Sequence, residues 1–198
     1  PGGVGTAEEI LYLLGVLLHP DNKGQPFPMI MTGPAAAEPY FREIDAFIAA
    51  TLGPEAQRRY EIIIDNPIQV AKRMKTGLDD VLAFRNEHKD AYYFNWRLKI
   101  EEAFQRPFVA THASMSDLEI SEDLARHELA ANLRRVFSGI VSGNVREDTA
   151  AVIERDGPFE IRGSQRIMDL LDALLTGFVA QHRMKISHGD YDPCYVIK

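Results

Sequence analysis

Apolar residues crowd the first turns of the chain. Ile10, Leu11, Leu13, Leu14, Val16, Leu17 and Leu18 follow the glycine-rich opening "PGGVGTAEEI". Their spacing predicts a helix over 7–19, with Thr6 as N-cap and Pro20 as stop. Apolar positions fall on nearly every side of it, so it is expected to lie buried between layers. After the polar loop "HPDNKGQP", the short run "FPMIMTG" (27–33) reads as a buried strand. Phe41, Ile44, Phe47, Ile48 and Leu52 recur at helical spacing, and Gly53 closes that segment. "YEIIID" (60–65) is the strongest strand pattern in the chain. Asn66-Pro67 then opens a helix running roughly to Thr76, with Asn66 as its cap. Helix, strand, helix, strand, helix is the rhythm of an α/β unit with a mostly parallel sheet.

Beyond Gly77 the pattern changes. "LDDVLAFRNEHKD" reads as helix, "YYFNWRLKI" fits strand or buried helix equally, and "RPFVATHASMSD" reads as loop. Long helical patterns follow over 121–145, 146–156 and 164–185. The last has an apolar face of Ile167, Leu170, Leu171, Leu174, Leu175 and Phe178. "YDPCYVIK" closes the chain as an extended tail. A boundary near Gly77 is expected, with the partial α/β sheet in 1–77 and a mainly helical region in 78–198.

Charge narrows the picture. The 198 residues carry a net charge of −7 and a pI near 5.4, which argues against a broad nucleic-acid or membrane footprint. A small anionic ligand stays compatible, because local backbone dipoles bind one on an acidic protein. Cys194 is the one cysteine, so no intrachain disulfide forms, and a reducing, cytoplasmic setting is the simpler expectation. The apolar stretch 10–18 is too short to span a bilayer, and no secretory signal pattern is present.

The opening loop carries the most chemistry. Gly2, Gly3 and Gly5 admit φ > 0 and let backbone N–H groups approach a ligand without a Cβ in the way. The loop feeds a helix N-terminus, whose unpaired N–H groups and positive dipole end favour an anion such as phosphate. Thr6 adds a hydroxyl. A P-loop is excluded by the missing Lys and the spacing, and Gly3-x-Gly5 followed by Glu8 is not the dinucleotide fingerprint. A single phosphate is the implied ligand. Thr6-x-x-Glu9 also has the form of a capping box, in which Glu9 reaches back to the Thr6 N–H. Neighbouring helical residues point about 100° apart, so one of Glu8 and Glu9 is expected at a site and the other in solvent or capping.

"PGGVGTAEE" resembles the PGGxGTxxE signature of the Lonely Guy (LOG) type phosphoribohydrolases, with Pro1, Gly2, Gly3, Gly5, Thr6 and Glu9 all matching. Along nearly its whole length the chain also resembles the larger bacterial pyrimidine/purine nucleotide 5′-monophosphate nucleosidases. The stretches carrying this are "EEILYLLGVLLHP", "FNWRLKI", "LRRVFSGIVSGNV", "GFVAQHRMK" and "PCY". The resemblance implies a Rossmann-like fold and hydrolysis of nucleoside monophosphates to free base and ribose 5-phosphate. Carried over, Gly2, Gly3, Gly5 and Thr6 hold the 5′-phosphate, Glu9 is the catalytic carboxylate and Glu8 its substrate-binding neighbour. An acid suits that chemistry, since N–C1′ cleavage builds oxocarbenium-like charge on the sugar. The family's upstream glycine-rich loop and arginine-containing segment have no match here, so the chain is expected to be a C-terminal portion with about half of the active site. The resemblance further implies a homo-oligomer, a tetramer being one arrangement, and a guanosine tetra- or pentaphosphate (alarmone) effector.

Other candidates are weaker. His127-Glu128 opens an H-E-x-x-H pattern that Ala131 ends, and His19, His88, His112, His127, His182 and His188 show no metal-ligand spacing. No metal and no cofactor are expected. Arg134, Arg135, Arg146, Arg183 and Lys185 read either as solvated helix faces or as a basic patch for a phosphorylated effector or subunit. Tyr92, Tyr93, Phe94 and Trp96 read as core, and Asp45 and Asp65 carry no assignment. Two other functions fit the motif. One is a non-catalytic nucleotide-binding regulatory module. The other is the lysine decarboxylase label often attached to this family, which would need a pyridoxal-bearing lysine near the loop. The first lysine is Lys23.

Overall fold

A computed structural model describes residues 2–90, 97–184 and 193–198. Pro1, the cluster Tyr92, Tyr93, Phe94 and Trp96, Lys185 and His188 lie outside the described residues.

Helix α1 (Val4–Leu17) opens the fold, and it begins three residues earlier than the pattern from Ala7 predicts. Its N-cap is Gly3, in extended conformation and without a capping side chain. Thr6 therefore sits inside the first turn, and the Thr6–Glu9 capping box does not form. The reason is tertiary. The Gly3 carbonyl accepts the Ala7 N–H at 3.1 Å and the Tyr40 hydroxyl at 2.8 Å, which fixes the turn one step upstream.

Strand β1 (Ile30–Gly33) leads through a 3₁₀ turn (Ala35–Ala37) into α2 (Glu38–Thr51) and the single turn α3 (Pro54–Gln57). Strand β2 (Glu61–Ile64) returns parallel to β1, with Ile30 opposite Glu61 and Gly33 opposite Ile64. Both strands are shorter than their sequence patterns. Asn66 caps α4 (Pro67–Glu87), accepting from the Gln69 N–H at 3.0 Å. That helix runs unbroken through Gly77 instead of ending near Thr76. Gly77 is a close-approach residue: a Cβ there would lie 2.5 Å from Cβ of Pro28.

The second half is helical with a sheet inside it. The segment read as loop contains α5 (His112–Ser116), held by a capping box between Thr111 and Ser114. Strand β3 (Glu119–Ile120) precedes α6 (Arg126–Val145) and α7 (Glu147–Asp156). Strand β4 (Phe159–Gly163) follows, then α8 (Gln165–Ala180) and β5 (Tyr195–Ile197). The three strands form a parallel sheet in the order β3-β4-β5, so the extended tail is a sheet strand. The class is α/β with parallel sheets, as the sequence predicts, and helix predominates.

Two helix pairs join the halves. α1 lies along α6, and α2 packs on α8. Leu129, Leu133, Val136, Phe137 and Ile140 of α6 are wholly buried at helical spacing. Gly15 keeps α1 close to α6, since an added Cβ would lie 3.5 Å from the Ala131 backbone nitrogen, and it also leaves room for the Phe104 ring, 3.1 Å from that Cβ. Leu14, Phe41, Phe137, Phe159 and Phe178 belong to one contiguous core. Among the described residues no helix is long and apolar enough to cross a membrane.

Candidate active site

Gly2 turns the chain into α1 with φ +107°, a conformation that favours glycine. A Cβ at Gly2 would lie 2.5 Å from Cε1 of Tyr40, and one at Gly3 would lie 2.5 Å from the Arg183 carbonyl oxygen. The loop is thus clamped between α2 and the residues following α8. Gly5 differs: it is exposed, with nothing within 4 Å of an added Cβ. The first intrahelical bond comes from the Ala7 N–H. The N–H groups of Val4, Gly5 and Thr6 therefore lie ahead of the helix ladder. No side chain caps them and no acid sits in the first turn, which is the electrostatic setting that favours an anion.

Tyr40 organises the clamp. Its ring is fully buried, edge-on to Phe41 at 5.1 Å and tilted against Phe178 at 5.0 Å. Its hydroxyl holds Gly3 and meets the Thr6 side chain. Burial pushes the phenol well above its ordinary pKa. The Arg183 guanidinium stacks 5.2 Å from the ring centroid and donates to the Ala36 carbonyl at 2.8 Å. A cation is thereby held beside the glycine turn.

The paired acids separate by environment. Glu8 is half-buried and faces α6: its Oε1 accepts the Ser138 hydroxyl at 2.8 Å and lies 3.4 Å from Nε of Arg134. Glu9 is exposed. Both nevertheless line one pocket of 350 Å³, completed by Tyr12, Leu13 and Arg134. Glu8 is the tethered member and Glu9 the open one. Ser138 and Tyr12 have no distinctive sequence signal beyond the four-residue spacings Glu8–Tyr12 and Arg134–Ser138, which put each pair on one helical face.

The described arginines have separate partners. Arg134 belongs to Glu8, Arg183 to the glycine loop, and Arg146 stands between α6 and α7. Arg135 donates to Oδ1 of Asn132 at 2.9 Å, and burial, then repulsion from Arg134, lowers its pKa. It lines a larger cavity of 580 Å³ at the far end of α1, together with His19, Lys99, Glu101 and His127. The His19 and His127 rings meet edge-on at 5.0 Å. That cavity exceeds the Glu9 pocket in size, but the uncapped glycine turn and the open carboxylate lie toward the other end of the helix. Asp45 is structural, accepting from the Tyr60 hydroxyl at 2.6 Å and from Gln57 at 3.1 Å. Asp65 ends β2 with φ 53°. Among the described residues no cluster of three His, Cys, Asp or Glu side chains is placed to hold a metal.

Comparison with known proteins finds two family profiles on the chain. Residues 78–198 match "pyrimidine/purine nucleotide monophosphate nucleosidase, C-terminal", and residues 1–74 match "possible lysine decarboxylase". Proteins named pyrimidine/purine nucleotide 5′-monophosphate nucleosidase from Escherichia coli strain K12 and from Escherichia coli O157:H7 are each 50% identical over 197 residues. The alignment covers 100% of this chain and 43% of each relative. The chain thus spans less than half the length of these relatives.

Proposed function

The chain belongs to the family described as pyrimidine/purine nucleotide monophosphate nucleosidase, C-terminal, and from that premise we propose that the protein hydrolyses the N-glycosidic bond of purine and pyrimidine nucleoside 5′-monophosphates. Supporting this reading is the relation between an uncapped helix turn and an exposed carboxylate one turn further on, both on α1. The 5′-phosphate docks on the N–H groups at Gly5 and Thr6, with Gly2 and Gly3 shaping the turn. The ribose then falls beside Glu9, held there by the anchored phosphate. As the C1′–N bond breaks, its electron pair goes to the base and positive charge grows on the ribose. The Glu9 carboxylate stabilises that charge and accepts a proton from the attacking water, whose oxygen bonds to C1′. The proton passes on to the departing base, giving free base and ribose 5-phosphate. Glu8 is the tethered neighbour that aligns α1 on α6.

The same reading keeps two units, 1–77 as the C-terminal part of the nucleotide-binding domain and 78–198 as the mainly helical one, with the family matches on either side of residues 75–77 in support. A homo-oligomer in the cytoplasm fits the exposed Ile68, Leu78 and Leu82 on α4 and the single buried cysteine, Cys194. The test is Glu9→Gln in the full-length protein, with release of base and ribose 5-phosphate followed for several monophosphates. Loss of turnover with retained monophosphate binding is expected. Undiminished turnover would refute the role of Glu9, and binding without hydrolysis by the unaltered protein would make it a regulatory module.

A further inference from the structure

A nucleotide has a fixed order of parts: phosphate, ribose, base. With phosphate at the first turn of α1 and ribose at Glu9, the base either follows the helix or leaves it. The pocket at Glu9 follows it. Tyr12 and Leu13 stand one turn beyond Glu8 and Glu9, and their side chains form its floor. Its far wall is Arg134, reaching across from α6.

Arg134 is unusual in its surroundings. Its side chain is only 15% exposed, and its Nε is buried without a hydrogen-bond partner among the described residues. Glu8 approaches Nε at 3.4 Å, close enough for charge balance but not aligned for a hydrogen bond. The guanidinium carbon lies 5.6 Å from the Tyr12 ring centroid. The Tyr12 ring is itself fixed, tilted against Phe104 at 5.3 Å and with its hydroxyl directed to the Phe104 carbonyl at 3.3 Å. A buried donor left unmade costs free energy that an incoming acceptor recovers. Because Glu8 balances the arginine's charge, the net charge left in the pocket is that of Glu9.

We propose that Tyr12, Leu13 and Arg134 form the subsite for the leaving nucleobase, with Arg134 donating a hydrogen bond to an acceptor on the base. This rests on the reading of Glu9 and the glycine turn given above. Purines and pyrimidines both carry ring-nitrogen or carbonyl acceptors, so one flexible cationic donor serves both classes. The same donor opposes the negative charge that reaches the base when the C1′–N electron pair moves onto it. No other reactant is needed: one water is consumed, and base and ribose 5-phosphate leave.

Binding separates the parts. Calorimetry on the full-length protein carrying Glu9→Gln, which suppresses turnover, compares AMP, UMP and ribose 5-phosphate. Ribose 5-phosphate reports the phosphate and sugar contacts alone. Adding Arg134→Gln is expected to weaken AMP and UMP roughly tenfold or more, the usual worth of a charged hydrogen bond, and to leave ribose 5-phosphate unchanged. Arg134→Lys should recover part of the loss. Equal weakening of all three ligands would mean that Arg134 supports the fold or the phosphate, and no weakening would mean that the base lies elsewhere; either overturns the subsite. If ribose 5-phosphate and both monophosphates fail to bind even with Arg134 intact, the underlying reading of the glycine turn falls, and the subsite with it.

Discussion

Replacing Tyr40 by Phe removes one oxygen from the centre of the clamp. The ring stays, so the packing on Phe41 and Phe178 is kept, and what is lost is the hydroxyl's hydrogen bond to the Gly3 carbonyl and its contact with the Thr6 side chain. A neutral buried hydrogen bond is worth about 1 kcal/mol, and Gly3 keeps its bond from Ala7. At neutral pH the variant should therefore unfold about 1 kcal/mol more easily, or ~2–4 °C lower for a chain of this size. The alkaline limb makes the prediction sharper. Burial raises the folded-state pKa of Tyr40, whereas an unfolded tyrosine titrates near 10, to about one unit. The folded state thus holds the proton longer, and the stabilisation is complete below pH ~10 and lost as pH rises through the folded value. From pH ~10 upward, and until the folded group itself titrates, the wild type loses ~1.4 kcal/mol per pH unit through this group, while the phenylalanine variant loses none. The gap between the two proteins should therefore close near pH 11, about one unit above the unfolded tyrosine value. Urea unfolding of both proteins in parallel at pH 7, 9, 10 and 11 measures it, with the other tyrosines cancelling in the difference. A gap that stays constant to pH 11 would refute the reasoning, as would a variant as stable as wild type at pH 7.

Two further expectations test the scaffold that carries the site. Leu14→Ala empties a fully buried position where α1 meets the core; it should lower stability by about 3–5 kcal/mol, read by calorimetric melting, and a loss below ~1 kcal/mol would mean that α1 is not core-bearing. Asn22→Asp replaces a buried amide that donates to the Val16 and Lys99 carbonyls at 2.6 and 2.8 Å and accepts the Lys99 N–H at 2.6 Å. Turning two donor contacts into oxygen against oxygen should cost ~2–4 kcal/mol and speed amide exchange around Lys99. Unchanged exchange there would show that Asn22 does not anchor the segment.

Much of the first half was legible because periodicity and burial agree there. The apolar run from Ile10 to Leu18 is helical and buried, and "YEIIID" is a strand. The misplaced start of α1 has a clear cause. Thr6 carries the local signal for a cap, but Tyr40, more than thirty residues away in sequence, claims Gly3 and settles the turn. Gly77 misleads in the same way, since nothing local reveals that Pro28 will approach it. Strands β3 and β4 are too brief for their alternation to stand out between long helices; only Phe159 and Ile161 of "FEIRG" point inward. At the candidate site the glycine turn and the two acids are readable as a motif. Their division of labour is not, because Ser138 and Arg134 arrive from a helix that only the folded chain brings alongside.

The parallel sheet of the second half has a consequence for how the molecule is made. β4 pairs with β3 on one side and β5 on the other. The first partner is available early, but the second emerges only after α8 and the residues beyond it have been synthesised. Until then Phe159 and Ile161, wholly covered in the finished fold, have an open strand edge beside them. Parallel pairings of this kind close long loops and form late. A chain whose β4 has met β3 but not yet β5 would carry one bare sheet edge, the kind of edge that pairs with other chains at high concentration. Slower synthesis or lower temperature during production should therefore raise the yield of this fold more than any change at the glycine turn.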